Sequence, residues 1–148
     1  MYASILVAID GSAVSHRALE EALTIARAVG ASLHAVHVIQ TGTYPALTLN
    51  ELEPPDMARQ ALLESLEREA DEILADAERR SAAAGLRITV HRRWGHPGAE
   101  ITALAQELGT DLTVVGSHGR GRLDRFFLGS VSSYVVDHAT SSVMVVRG

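Results

Sequence analysis

The sequence predicts an α/β fold, a doubly wound parallel sheet of five strands with four helices. Short apolar runs alternate along the chain with longer segments whose apolar residues recur at helical spacing. The first and last runs are apolar at consecutive positions, as is typical of strands buried on both faces of a sheet. Glycines and prolines stand between the segments, where turns are expected. Strands that alternate with helices in this way pair in parallel through right-handed crossovers.

The first half of the chain contains two predicted strands, two predicted helices and a connector. Their order is strand Ser4–Ile9, helix Ala13–Val29, strand Ser32–Ile39, connector Thr41–Pro55 and helix Asp56–Ala84. The first helix stops before Gly30, because glycine is favoured just past a helix end. The connector contains Gly42, Pro45, Pro54 and Pro55, so little regular structure is expected there.

The second half contains three further strands and two helices. Their order is strand Leu86–Arg93, helix Pro97–Leu108, strand Asp111–Gly116, helix Ser130–His138 and strand Ser142–Arg147. Proline is tolerated in the first turn of a helix, which places a helix start at Pro97. No repeat, composition shift or linker divides the chain, so a single domain over residues 1–148 is expected.

Composition excludes several kinds of chemistry. The chain has no cysteine, which excludes disulfides, thiol catalysis and cysteine-bound zinc. All 13 basic residues are arginine, and the absence of lysine excludes the P-loop of NTPases and Schiff-base catalysis. A net charge of −5 argues against nucleic acid as a general partner. The first apolar run is too short for a signal peptide or membrane span, so a cytoplasmic protein without a membrane partner is expected.

A glycine-rich loop follows the fourth predicted strand. Gly116, Gly119 and Gly129 are followed by Ser130, the first residue of a predicted helix. Glycine allows close approach of a ligand and positive φ angles, and a helix N-terminus favours a bound anion. The same loop carries His118, Arg120, Arg122 and Arg125. In doubly wound folds ligands bind beyond the carboxyl ends of the strands, where this loop lies. The loop is therefore predicted to bind phosphate, the alternative being an ordinary strand-to-helix loop with turn glycines.

Asp10 follows the first predicted strand and is expected at the same edge of the sheet. Its carboxylate could accept hydrogen bonds from a ribose or hold a divalent cation beside phosphates. The alternative is a local role in the Asp-Gly turn or in capping the next helix, and Ser12 and Ser15 are expected to be capping residues. His34 and His37 should face opposite sides of the sheet, which excludes their chelating one metal ion. Sequence alone places no catalytic base near Ser117 or Ser130.

The last predicted strand, Ser142–Arg147, has four consecutive apolar residues and lies close to the end of the sequence. A final strand in a doubly wound sheet is often an edge, and an apolar edge favours pairing with a second copy. We therefore expect a homodimer through this strand. The alternative is a terminal strand buried beneath the last helix.

Five segments distributed along the chain form a known pattern. They are Ala8-Ile9-Asp10-Gly11-Ser12, Gly95-His96-Pro97, Val115-Gly116-Ser117-His118-Gly119, Gly129-Ser130-Val131 and the closing run Ser142–Arg147. Together they resemble the universal stress protein family over essentially the whole chain. The spacing G-x-x-G, nine residues, G-[S/T] is that of the ATP-binding branch of the family.

The resemblance implies a Rossmann-like, dimeric domain that binds ATP with a divalent ion. We expect this ion to be Mg²⁺ or Mn²⁺, with Asp10, from its position after the first strand, as the candidate metal ligand. It implies that the adenine and ribose lie beside Ile9, Asp10 and Val38. It implies that the phosphates are held by Gly116, Gly119, Gly129, Ser130, Val131 and Ser132, whereas His118 and Arg120 match the family pattern only loosely.

The function expected from the resemblance is that of an ATP-responsive regulator in the stress response, acting on a protein partner that the sequence does not identify. Two alternatives belong to other classes. One is a slow Mg²⁺-dependent ATPase or phosphotransferase, and the other is a dimeric scaffold that no longer binds nucleotide. The intact glycines disfavour the scaffold, and the lack of a recognisable catalytic base disfavours the enzyme.

Overall fold

The computed structural model describes residues 1–41, 56–119 and 128–148, and these ranges form an α/β fold. The elements in chain order are β1 Ser4–Ala8, α1 Ala13–Val29, β2 Ser32–Ile39, α2 Asp56–Ala83, β3 Thr89–Trp94, α3 Pro97–Leu108, β4 Leu112–Gly116, α4 Ser130–His138 and β5 Ser142–Val146. The predicted fold class is confirmed. The predicted connector lies outside the described residues from position 42 onward, as do Arg120, Arg122 and Arg125.

The strands form one sheet in the order β3-β2-β1-β4-β5. Every neighbouring pair is parallel. After β1 the chain adds β2 and β3 on one side, and then crosses to the other side to add β4 and β5. The order therefore reverses between β1 and β4, and their carboxyl ends flank the crevice where folds of this kind bind ligands.

Two strands begin later than predicted. β3 begins at Thr89 because Leu86 completes the end of α2: its N–H donates to the Ser81 carbonyl (2.9 Å), and its carbonyl accepts from the Ser81 hydroxyl (2.9 Å). β4 begins after Asp111, whose carboxylate accepts from the backbone N–H groups of Ala3 (2.9 Å) and Ser4 (3.1 Å). These backbone hydrogen bonds lower the pKa of the Asp111 carboxyl. β1 and β5 each end one residue earlier than predicted.

The core lies on both faces of the sheet. On one face, Ile5 and Val7 of β1 pack against α1 and α2. On the other face, Leu6 packs against α3 and α4. All three side chains are completely buried, which explains why β1 reads as an uninterrupted apolar run.

The histidines of β2 lie on opposite faces of the sheet, as predicted. His34 places Nδ1 3.0 Å from Nε2 of His91 on β3, whereas His37 places Nδ1 2.9 Å from the carbonyl oxygen of Ile9. Burial lowers the pKa of both His34 and His91. None of the helices in the described ranges combines the length and apolar character needed to cross a bilayer.

Candidate functional site

A cleft of about 410 Å³ opens at the carboxyl ends of β1, β2 and β4. Its volume is within the range of small-molecule sites. One side is formed by residues that follow β1 and by the last residues of β2, and the other by the loop after β4 and the start of α4. Leu66 and Glu69 of α2 and Pro97 and Ile101 of α3 complete the lining. The topology thus places a ligand-sized cavity at the reversal of strand order.

The three glycines of the predicted phosphate loop are in close contact with neighbouring elements. A Cβ at Gly116 would lie 3.0 Å from a methyl group of Val14, and one at Gly119 would lie 3.2 Å from Oδ2 of Asp10. A Cβ at Gly129 would lie 3.1 Å from Cα of His118. None of the three has a positive φ, so the expectation that they supply positive φ angles is wrong. A larger residue at any of the three would press on the neighbouring wall of the cleft.

The N-terminus of α4 faces the cleft with its amide groups. Gly129 is the N-cap and makes no side-chain capping bond. The N–H of Ser133 donates to the carbonyl of Gly129 (2.9 Å), so the amides of Ser130, Val131 and Ser132 precede the first α-helical hydrogen bond. These three residues line the cleft. Such a terminus favours a bound anion through its N–H groups and the helix dipole.

Ser117 holds the two ends of the glycine loop together. Its carbonyl accepts from the N–H of Gly129 (2.6 Å) and from the hydroxyl of Ser132 (2.9 Å). Its own N–H donates to the carbonyl of Val146 in β5 (2.8 Å). The Ser132 hydroxyl is buried and also lies 3.1 Å from the Gly129 carbonyl. Ser132 therefore uses its side chain to fix the loop, and its backbone amide is the group available to a ligand.

Asp10 has one carboxylate oxygen in a local turn and the other beside the glycine loop. Oδ1 accepts from the N–H of Ser12 (2.9 Å), and Ser12 caps α1 by accepting from the N–H of Ser15 (3.2 Å). Oδ2 is the atom that lies against Gly119. The local role predicted for Asp10 is thus present, and the second oxygen can still serve a ligand. In the part of the chain that the structure describes, no group of three or more potential metal ligands is found.

The side chains of Ser117 and His118, which are neighbours in the sequence, contact each other, and the sequence alone did not predict this contact. The Ser117 hydroxyl is 3.0 Å from Nδ1 of His118. Ser117 is only 4% exposed and is absent from the cleft lining, whereas His118 does line it. This Ser–His contact therefore does not present a nucleophile to the cleft.

Comparison with known proteins identifies the family. The model of the universal stress protein family matches residues 1–147. The chain belongs to the universal stress protein family. It is 33% identical over 148 residues to the universal stress protein YxiE of Bacillus subtilis, with 99% of this chain and 100% of that protein covered.

Two solved structures of universal stress proteins are similar to this chain and hold adenine nucleotides. The one from Archaeoglobus fulgidus in complex with dAMP is 26% identical, with a TM-score of 0.71 and 98% of each chain covered. Another, in complex with cAMP, is 28% identical, with a TM-score of 0.68, 99% of this chain and 97% of that chain covered. Both confirm the Rossmann-like fold implied by the resemblance.

The cleft of this universal stress protein brings together nearly all the residues singled out in the sequence. Those that line it are Ile9, Asp10, Val38, Gly116, His118, Gly119, Gly129, Ser130, Val131 and Ser132. Arg120 lies outside the described residues. These residues are far apart in the sequence. They meet because the parallel topology places the carboxyl ends of β1, β2 and β4 at the same edge of the sheet.

Several lining residues were not anticipated. His37 is one of them: the rule that ligands bind at the carboxyl ends of strands selects Val38, Ile39 and Gln40, which all line the cleft, but not His37 just before them. Leu66 and Glu69 lie in the middle of α2. No sequence signal separates them from the other residues of that long helix, since only its packing on β2 turns them toward the cleft.

Proposed function

We propose that this universal stress protein binds an adenine nucleotide, ATP with Mg²⁺ or Mn²⁺, and acts as a nucleotide-responsive regulator in the stress response. The observation that carries the proposal is the set of glycines at 116, 119 and 129, at each of which a Cβ would crowd a neighbour. The family relation adds that similar proteins hold dAMP or cAMP.

The described residues offer contacts for the phosphates, the ribose and the cation of such a ligand. The amides of Ser130, Val131 and Ser132 would donate to phosphate oxygens. Oδ2 of Asp10, beside Gly119, would accept from a ribose hydroxyl or contribute one ligand to the cation. Magnesium beside phosphates is usually held by one or two carboxylates together with phosphate oxygens and water, so a larger cluster of acidic residues is not required. The cation would neutralise phosphate charge.

The binding test is a thermal unfolding titration with ATP and MgCl₂. At about a hundred times the dissociation constant, ATP should add roughly 2.7 kcal/mol to the free energy of unfolding and raise Tm by roughly 5–10 °C. Inorganic triphosphate at the same concentration is the control for a general anion effect. No shift with ATP, dAMP or cAMP at millimolar concentration would refute nucleotide binding. Release of phosphate from ATP, measured in the same samples, would favour the enzyme over the regulator.

We propose that Ser117 couples nucleotide binding in the cleft to a partner-binding surface at the sheet edge. Its carbonyl holds the start of α4 at the cleft, and its N–H holds Val146 of β5. A ligand that moves the glycine loop would therefore act directly on the end of β5, which forms one edge of the sheet.

We also propose that this edge, Ser142–Val146 with Arg147, forms a homodimer. The side chains of Val143, Met144 and Val145 are only partly buried. The carbonyl of Val146 accepts a hydrogen bond from the N–H of Ser117, directly after β4, and so points away from the open edge. Backbone polar groups of successive strand residues point to alternate sides, so the N–H and C=O of Val145 point to the open edge. Edge groups of this kind pair readily with a second strand.

The dimer test replaces Val145 with proline. Val145→Pro removes an N–H on the open side while leaving the bonds to β4 in place, a position where strands tolerate proline. We expect light scattering after size exclusion to show a dimer for the native protein and a monomer for Val145→Pro. Val145→Ala keeps the N–H and should remain dimeric. A Val145→Pro protein with the mass of a dimer would exclude pairing through this strand.

A further inference from the structure

His37 is a polar side chain at the floor of the cleft whose contacts define its tautomer. It lies near the carboxyl end of β2, is only 9% exposed and lines the cleft. Its Nδ1 atom lies 2.9 Å from the carbonyl oxygen of Ile9, which follows β1. A carbonyl oxygen can only accept a hydrogen bond, so Nδ1 must carry the proton.

The second ring nitrogen of His37 is left without a protein partner among the described residues. Among the described residues, the hydrogen bond to Ile9 is the one found for this ring. No side-chain nitrogen or oxygen in the described ranges is both fully buried and unpaired. Nε2 is therefore not fully buried, and because His37 lines the cleft we place Nε2 on the cleft side of the ring. In a neutral imidazole with Nδ1 protonated, Nε2 is a hydrogen-bond acceptor.

We propose that His37 is a specificity-determining residue, whose Nε2 accepts a hydrogen bond from an N–H or O–H group on the base or ribose of the bound nucleotide. The proposal rests on the nucleotide-binding function proposed above and assigns the polar contact at the β2 end of the cleft. A nucleotide that fills the cleft excludes water from this acceptor, so a ligand that leaves the acceptor unpaired is penalised.

The position of His37 makes the two ends of the cleft chemically different. β1 lies between β2 and β4, so His37 is two strand spacings, about 10 Å, from the strand that leads into the glycine loop. The phosphate-binding end presents N–H donors from α4, whereas the β2 end presents an acceptor. α2 packs on β2 through Ile39 and Leu66, and it adds the carboxylate of Glu69 to the lining. Phosphate oxygens, which need donors, are disfavoured at this end.

The tautomer is measured directly by ¹⁵N NMR of the histidine rings at pH 8. We expect His37 to show a protonated Nδ1 and an unprotonated Nε2 in the ligand-free protein. Addition of ATP should shift the Nε2 resonance as it accepts a hydrogen bond. A proton on Nε2 in the ligand-free protein, or an Nε2 signal unchanged at saturating ATP, would overturn the proposal.

The specificity role is tested with His37→Asn and three ATP analogues. An asparagine amide can still donate to Ile9 but lacks the distal acceptor. The analogues are ITP, which lacks the exocyclic amino group, and 2′-deoxy-ATP and 3′-deoxy-ATP, which each lack one hydroxyl. We expect one analogue to bind the native protein about 5- to 100-fold more weakly than ATP, and this difference to disappear in His37→Asn. The analogue that shows the effect identifies the donor.

The outcomes separate this inference from the proposed function. If the native protein binds ATP but every analogue keeps the same affinity ratio in His37→Asn, the role of His37 is wrong and nucleotide binding stands. If the native protein does not bind ATP, both are wrong. His34→Asn, on the same strand but outside the cleft lining, is the matched control and should keep the native ratios.

Discussion

Gly129→Val should weaken ATP binding by about 100-fold or more, because it displaces several donors to the phosphates. The Cβ of any residue at this position would lie 3.1 Å from Cα of His118 and 3.3 Å from the carbonyl oxygen of Ser117. Both neighbours are backbone atoms, which cannot rotate away. The two extra methyl groups of valine enlarge the conflict, and the loop must separate from the start of α4. Isothermal titration calorimetry with ATP and MgCl₂ measures the effect.

Gly129→Ala provides a graded comparison. Alanine adds only the Cβ, which a shift of a few tenths of an ångström can accommodate, so its loss of affinity should be smaller than that of valine. The proposed dimer should survive in both variants, since β5 keeps its pairing with β4. A Gly129→Val protein with a dissociation constant within about threefold of the native value would show that this loop does not hold the phosphates.

Gly98→Val should lower the free energy of unfolding by about 2–3 kcal/mol, through overpacking between α3 and α4. A Cβ at Gly98 would lie 2.7 Å from Cγ and Cδ1 of Tyr134 and 2.8 Å from its Cβ. A rotamer change can move Cγ and Cδ1 but not Cβ of Tyr134, which is bonded to the backbone of α4, so the 2.8 Å overlap stays. The two helices must move apart. Urea denaturation measures the loss.

Ala103→Val is the matched control, since Ala103 lies on the same helix but is exposed. It should cost only the few tenths of a kcal/mol by which valine is a poorer helix former than alanine. Equal urea midpoints for Gly98→Val and Ala103→Val would contradict the packing argument. Gly98→Val should also weaken ATP binding, because the displaced helix α4 carries the amides that face the cleft.

Much of the candidate site was recognisable before the fold was known. The glycine loop and Asp10 each follow an apolar run, and Val38 lies near the end of one. Parallel topology places such positions at one edge of the sheet. The expectation about the backbone angles of the glycines was wrong. Positive φ was expected from the residue type, whereas Gly116, Gly119 and Gly129 instead lie close to neighbours elsewhere in the chain, among them Val14 and Asp10 for the first two. Contacts of that kind leave no local signal.

At the strand ends, too, the sequence pattern predicted the element but not its exact limits. The apolar run that begins at Leu86 predicts a strand, yet its first residues complete α2, because Ser81 binds both backbone groups of Leu86. Asp111 looked like part of β4 and instead ties down the N-terminal segment through Ala3 and Ser4. Hydrophobic pattern predicts the existence of an element, whereas its boundaries here are set by hydrogen bonds, local at Leu86 and long-range at Asp111.

The amino-acid pattern by itself determined the α/β class, the order of strands and helices, the family and most of the residues around the cleft. It could do so because periodicity and glycine spacing are local properties of the chain. Only the tertiary structure decided that Ser117 joins the cleft to β5, that the Ser132 hydroxyl holds the loop, and that His37 lines the cleft with its Nδ1 bonded to Ile9. These roles depend on which remote backbone group lies within hydrogen-bond distance, and packing alone determines that.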